Sequence, residues 1–328
     1  MSTPDTTALP DDSAIAIGIG GFRPYRLTVA RNERLTPHFT RLTLTGPDLV
    51  VFGTDRLDQR IKLVLQLPDG RWHDLGLDDP EAIHTGAWYE RWRALEPDQQ
   101  HPIRTYTVRS IYPAARELVV DVVLHEPAGP AGRFGAEAQP GDEIIVVGPD
   151  ARSEHSAIGI DFHRGTARDL LLAGDETAAP AICAILEQLA EIGGQWRIHA
   201  FVEVPTSADA LTVDAPAGTA LHWLPRGDRA HGEALIEAVT AFTAADSEFV
   251  ALGALPAERE PQQLEDVDID HDLLWEAPEQ VVGGAFYAWI AGESGVVKQL
   301  RRHLVRDHGV DRGRVAFMGY WRQGRAEN

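Results

Sequence analysis

Arg104-Thr105-Tyr106-Thr107-Val108-Arg109 is the stretch from which the rest of this chain can be read. Tyr, Thr and Val suit a pleated surface, so it reads as a β-strand. Side chains alternate along a strand. Arg104, Tyr106 and Val108 therefore share one face, and Thr105, Thr107 and Arg109 the other. A guanidinium, a phenol and hydroxyls make an odd core strand and a good edge for a flat, polar, anionic ligand. From these six residues alone, a half-buried strand with two solvated arginines fits equally well.

Working outward, the flanking pattern is also β. Leu27 and Val29, then Leu42 and Leu44, alternate with polar residues, and 61–67, 118–124 and 143–148 are further apolar runs. With 106–108 these make six strands separated by turn residues, which predicts a closed antiparallel barrel over 22–150. Residues 1–21 mix Pro, Asp, Thr and Ser before a Gly-Ile-Gly-Gly run and read as a mobile leader. Residues 73–100 read as a polar, Trp-bearing insertion.

After Pro149 the pattern changes. Leu170-Leu171-Leu172-Ala173 is a short continuous apolar run, as in a buried parallel strand. It ends at Gly174-Asp175-Glu176-Thr177, and Ala181, Ile182, Ile185, Leu186 and Leu189 then form one helical stripe. Thr177 is the expected N-cap, with Pro180 in the first turn. Strands are expected at 197–203, 220–223, 249–252, 286–291 and 315–318, and helices at 233–244 and 295–307. Such alternation predicts a parallel sheet with helices on both faces, over 165–328, binding ligands at the carboxyl ends of its strands. Residues 255–284 break the rhythm with Glu258, Glu260, Glu265, Asp266, Asp268, Asp270 and Asp272, and read as an acidic surface insertion without EF-hand spacing.

The composition narrows the function. Of 328 residues, 30 are Lys or Arg and 50 are Asp or Glu, a net charge of −20 that argues against a nucleic-acid partner. The only lysines are Lys62 and Lys298, and the single cysteine, Cys183, sits in an apolar helical run and reads as inert. One cysteine excludes an internal disulfide and a Cys-ligated zinc or iron–sulfur site. No apolar run reaches about 18 residues and no secretory signal is visible, so a cytoplasmic protein without a membrane span is expected.

Seven segments stand in one order and spacing from about Tyr25 to Gly324. They are Arg104-x-Tyr106-Thr107-x-Arg109, Val123-Leu124-His125, Gly129-Pro130-Ala131, Pro140-Gly141-Asp142, Ala173-Gly174-Asp175-Glu176-Thr177, Trp289-Ile290-Ala291-Gly292-Glu293 and Gly319-Tyr320-Trp321-Arg322. The first is the flavin motif of ferredoxin-reductase-like flavoproteins. Together the set resembles the siderophore-interacting protein family, flavin-dependent ferric-siderophore reductases. No G-x-G-x-x-G follows a strand, so a two-Rossmann flavoprotein is excluded.

The resemblance implies an FAD-binding six-stranded barrel followed by an NAD(P)H-binding α/β domain. Arg104 would meet the FAD diphosphate, and Tyr106 and Thr107 the ring and ribityl, with Val108, Val123, His125, Ala131 and Gly132 completing the flavin set. The family often has Ser at Gly132 and Trp at Phe134, so only the backbone role carries over there. Asp175, Thr177 and Glu293 would lie at the nicotinamide nucleotide. Asp175 and Glu176 could instead simply cap the helix. Arg226 follows a strand end where a 2′-phosphate arginine would sit, which tilts the donor towards NADPH, though it also fits a solvated loop. A ferric siderophore would rest on a shallow basic patch of Lys62 and Arg322. Arg133 is a third candidate that fits a solvated charge better.

The implied reaction is two-stroke: NAD(P)H gives a hydride to FAD, and electrons pass singly to ferric iron, releasing ferrous iron. The flavin carries the chemistry, so no catalytic side chain and no resident metal is expected. Two alternatives stay open: the same fold with a ferredoxin donor or another acceptor, and a non-catalytic siderophore-binding protein. A monomer is expected.

Overall fold

The computed structural model describes residues 21–255, 262, 264, 267, 274–278 and 284–324. Residues 1–20 of the expected leader lie outside these, as do the acids of the expected insertion from Glu258 to Asp272.

The first sheet contains β1 (Phe22–Arg34), β2 (Phe39–Thr45), β3 (Arg60–Val64), β4 (Ile103–Thr107), β5 (Ser110–Tyr112), β6 (Glu117–Val123) and β7 (Glu143–Pro149). The order is β4-β3-β7-β1-β2-β6-β5, and every pairing is antiparallel. Six strands were expected, and β5 is the seventh. It arises because the 104–109 stretch is not one straight strand. The Val108 N–H donates to Gln59 O at 2.9 Å, on the β3 side, and the Arg109 N–H donates to Val119 O at 2.9 Å, on the β6 side. One short segment thus ties both edges, and the sheet curls into a barrel. Tyr25, Leu27, Leu42, Ile61, Val108 and Val146 fill its interior. The 73–100 insertion carries two short helices, α1 (Pro80–Thr85) and α2 (Ala87–Arg93). The glycine- and proline-rich stretch after His125 forms a helix, α3 (Pro130–Glu137), rather than only a turn.

The second sheet holds β8 (Asp169–Gly174), β9 (Arg197–Val204), β10 (Thr219–Pro225), β11 (Trp275–Glu276), β12 (Phe286–Glu293) and β13 (Val315–Trp321) in the order β10-β9-β8-β12-β13-β11. All pairs are parallel except that of β11 with β13. Leu170 and Leu172 pack on one face against α4 (Ala179–Ile192), while Leu171 and Ala173 pack on the other against α5 (Glu233–Ala245) and α7 (Ser294–Arg301). Two expectations are corrected. Residues 249–252 are no strand: α6 (Ser247–Ala251) and its turn occupy them, because Asp246 caps the helix by accepting from the Phe249 N–H at 3.0 Å. Nor is Thr177 the N-cap of α4. Ala178 holds that position without a side-chain bond, while the Thr177 N–H and hydroxyl both donate to Asp175. The expected 295–307 helix begins as α7 and finishes as a π-helical turn over Arg302–Asp307.

The two halves are locked together. Phe39 and Val123 of the barrel join the α4 core cluster. Buried Arg109 pairs with Glu187 of α4 and lies 3.4 Å from Asp121 of β6. The chain leaves β8 towards β9 and β10 on one side and returns to β12 and β13 on the other. The switch point, between β8 and β12, is where open α/β sheets bind ligands.

Candidate functional site

At the switch point Gly174 and Ala291 are register partners, and the residues after them meet. Asp175 Oδ2 accepts from the Glu293 N–H at 2.8 Å and from the Trp321 indole N–H at 2.9 Å, and Oδ1 accepts from the Thr177 N–H at 2.9 Å. Gly292 permits this approach: its φ is +142°, and a Cβ there would stand 2.6 Å from Asp175 Oδ2. Glu293 accepts from the Val296 N–H at 3.0 Å, capping α7, and pairs with Arg322 at 3.2 Å.

A second cluster adjoins the first. Arg226 donates to both oxygens of Glu176, at 2.8 and 3.1 Å, and to Glu203 at 3.0 Å. His231 Nε2 lies 3.5 Å from Glu176 and 3.7 Å from Asp175, and its ring meets Trp321 edge-on at 4.8 Å. Burial, with the Glu176 charge adding to it, raises the Asp175 carboxyl. Burial would raise Glu176 too, but His231 and Arg226 outweigh it and hold that carboxyl well below its usual range. For His231, burial disfavours the charge, yet the facing carboxylates win and raise the imidazole. Asp175, Thr177, Arg226 and Glu293 thus lie in adjoining clusters, with Arg226 paired to carboxylates rather than solvated.

Glu203 and His231 were missed. The signal for Glu203 was a charge inside the apolar run Phe201-Val202-Glu203-Val204. His231, a lone histidine in a polar loop, gave none.

On the barrel side, β4 carries Arg104, with its guanidinium donating to the Ile103 carbonyl at 2.9 Å. No carboxylate among the described residues pairs with it. Tyr106 and Val108 face the barrel core, and Thr107 is buried. β4 also abuts β6, whose Val123 leads through exposed His125 to α3. His125 lies within electrostatic reach of Asp175, Glu176, Arg226 and His231, which places the end of β6 against the second sheet. Among the described residues no side chain caps α3, and the first backbone bond closing its turn is Arg133 N–H to Gly129 O. The amides of Ala131 and Gly132 precede it. A Cβ on Gly129 would meet nothing within 4 Å, and one on Gly132 nothing closer than 3.9 Å. Exposed Lys62 donates to Thr105 Oγ1 at 2.6 Å across the β3–β4 pair. Arg133 is exposed and donates to the Ala128 carbonyl at 2.8 Å.

Residues 28–153 match the model of the siderophore-interacting FAD-binding domain, and residues 167–324 that of the siderophore-interacting protein. The chain is 30% identical to the siderophore-interacting protein SipS of Aeromonas hydrophila, over 93% of both chains and with a TM-score of 0.58. The chain belongs to the siderophore-interacting protein family. It is also 25% identical to a ferric vibriobactin reductase of Vibrio cholerae, over 93% of this chain and 91% of that one. With an NADPH-dependent ferric-chelate reductase of Escherichia coli it shares 27% identity, over 90% of this chain and 91% of that one.

The barrel side fits the FAD of this family. A diphosphate needs a guanidinium free of carboxylates and backbone N–H groups at an open helix start. Arg104 and the start of α3 offer both, and the open space at Gly129 and Gly132 leaves room for it. Among the described residues no helix is long and apolar enough to cross a membrane.

Proposed function

We propose that this protein is an FAD-dependent ferric-siderophore reductase with NAD(P)H as electron donor. The observation that carries the reading is Arg104, unpaired with any described carboxylate, on a strand that abuts β6, the strand that leads into the uncapped start of α3. Residues 22–150 serve as the FAD-binding half and 165–328 as the nucleotide half.

In this reading Arg104 and the Ala131 and Gly132 amides hold the FAD diphosphate. Half-buried Tyr106 and exposed His125 would line the flavin, whereas Thr107, Val108 and Val123 are buried and would meet it only through their backbone. FAD, when bound, converts a two-electron hydride donor into single electrons for iron. Asp175, Thr177 and Glu293 position the nucleotide at the switch point, and the Trp321 indole holds Asp175 there through a hydrogen bond. The ferric siderophore is substrate. Lys62 stands exposed on the strand that pairs with β4, and half-exposed Arg322 offers a second cation, although Glu293 shares it. Cations at a surface hold an anionic chelate without burying it. Arg133, tied to a carbonyl of its own turn, is the weakest of the three.

The test is the absorbance spectrum of purified protein, then anaerobic nucleotide addition with a ferric siderophore and a ferrous trap. A flavin spectrum, bleached by nucleotide and followed by ferrous signal, is expected. Lys62→Ala and Arg322→Ala should lower siderophore reduction and spare reduction of a small dye. No flavin even after added FAD would sink the reading, and unchanged siderophore reduction in both variants would remove the substrate patch.

A further inference from the structure

Glu203, next to last in β9, has its side chain fully buried, accepting from the Gly232 N–H at 2.8 Å and the Leu235 N–H at 3.1 Å at the start of α5. The helix therefore fixes the carboxylate in place. Its remaining partner is Arg226, which also grips Glu176, and Glu176 is likewise almost fully buried. One guanidinium is thus shared by two buried carboxylates at two strand ends.

In nucleotide-binding sheets, the end of the second strand and the loop beside it discriminate the adenosine ribose. A carboxylate there accepts from the 2′-hydroxyl of NADH, and an arginine there binds the 2′-phosphate of NADPH. β9 is the second strand after the switch point. Among the described residues Arg226 is the arginine that bonds both carboxylates, and Arg229, the next in the loop, pairs with Glu237 at 2.8 Å. A 2′-phosphate would bring close to two negative charges towards Asp175, Glu176 and Glu203. To meet it, Arg226 would have to leave two buried carboxylates, and abandoning a buried charge pair is strongly unfavourable. A ribose hydroxyl makes no such demand: it is a neutral donor arriving among acceptors.

We propose that the Glu176–Arg226–Glu203 latch makes this protein selective for NADH over NADPH. The proposal rests on reading the second sheet as the nucleotide site, and it reverses the tilt towards NADPH that an unpaired Arg226 would have given.

The experiment is anaerobic stopped-flow bleaching of the FAD-loaded protein by each nucleotide, for the unsubstituted chain and for Glu176→Gln. The unsubstituted protein should use NADH with an efficiency about tenfold or more above NADPH, the scale on which one site contact discriminates. Glu176→Gln removes one charge and keeps the shape, so it leaves Arg226 held by Glu203 alone and should raise the efficiency with NADPH more than that with NADH. Equal use of the two nucleotides, or preference for NADPH, overturns the proposal and leaves the nucleotide-donor reading standing. Selectivity unchanged in a folded Glu176→Gln protein also overturns it, since the latch would not be the cause. Bleaching by neither nucleotide overturns the proposal and the donor reading together.

Discussion

The indole N–H of Trp289 donates to Asp58 Oδ2 at 2.8 Å, joining residues 231 positions apart. Asp58 also accepts from the Asp161 and Phe162 N–H groups, each at 3.1 Å, and is 1% exposed. One carboxylate thereby gathers the end of the loop before β3, the linker between the sheets and the centre of β12.

That position makes stability depend on pH. Burial, reinforced by Asp161, pushes the Asp58 carboxyl up to about 6, against the pull of its donors. A raised folded-state value means that the folded protein holds this proton where the unfolded chain has lost it. The contribution is therefore full below the usual carboxylate range and disappears as pH rises through about 6. Its size is on the order of 3 kcal/mol. In urea unfolding from pH 4 to 7, Asp58→Asn should remove this descending component. An amide beside three N–H donors should also lower stability at pH 4. Parallel profiles for the two proteins would show that Asp58 does not titrate in this window.

Arg109 performs the companion task. It is 4% exposed and joins Glu187 of α4 to the barrel beside Asp121, which Arg41 also holds at 2.7 and 2.8 Å. Arg109→Met should leave Glu187 without its partner and lower the unfolding free energy by about 3–5 kcal/mol. Arg109→Lys should lose less, because a point charge can face one carboxylate but cannot bridge two. Thermal melting of both variants checks the order, and equal losses would contradict it.

Both halves of the fold were legible because their strands differ in kind. Alternation marked Leu27-x-Val29 and Leu42-x-Leu44 as half-buried, and the unbroken Leu170-Leu171-Leu172 marked a strand covered on both faces. The failures were local. Phe249 and Val250 are as apolar as a strand, and only the capping carboxylate of Asp246 separates the two outcomes. β5 escaped because a bend between Val108 and Arg109 has no composition of its own. At the site, the residues clustered in short motifs were legible. Asp58, Glu203 and His231 were not, because each acquires its role from a partner distant in sequence.

Gly292 is the position where backbone freedom and the site coincide. A methyl group there would meet Asp175 Oδ2 at 2.6 Å, in a backbone conformation that residues with a side chain rarely adopt. Gly292→Ala should therefore displace Asp175 from the Glu293 amide and the Trp321 indole. Bleaching by nucleotide should slow by about tenfold or more, as expected when a site shifts by an ångström. Flavin content should not change, since the barrel is untouched. Loss of flavin in a folded variant would contradict the separation of the two sites.

Arg104 gives the sharpest test of the flavin site. No described carboxylate neutralises it, so its charge is available to a diphosphate in a way that the charge of Arg109 is not. A hydrogen bond to a charged group contributes about 1.5–3 kcal/mol, and the bidentate form lies at the upper end. Arg104→Ala should therefore weaken FAD binding about 10- to 100-fold, measured by quenching of flavin fluorescence on titration of the apoprotein. Arg104→Lys keeps the charge but loses the fork, and should fall between the two. Raising the salt concentration should weaken the native protein more than Arg104→Ala, because only the native protein retains the ionic contact to be screened. If Arg104→Ala binds FAD as tightly as the native chain, the diphosphate is held elsewhere and β4 is only a barrel strand.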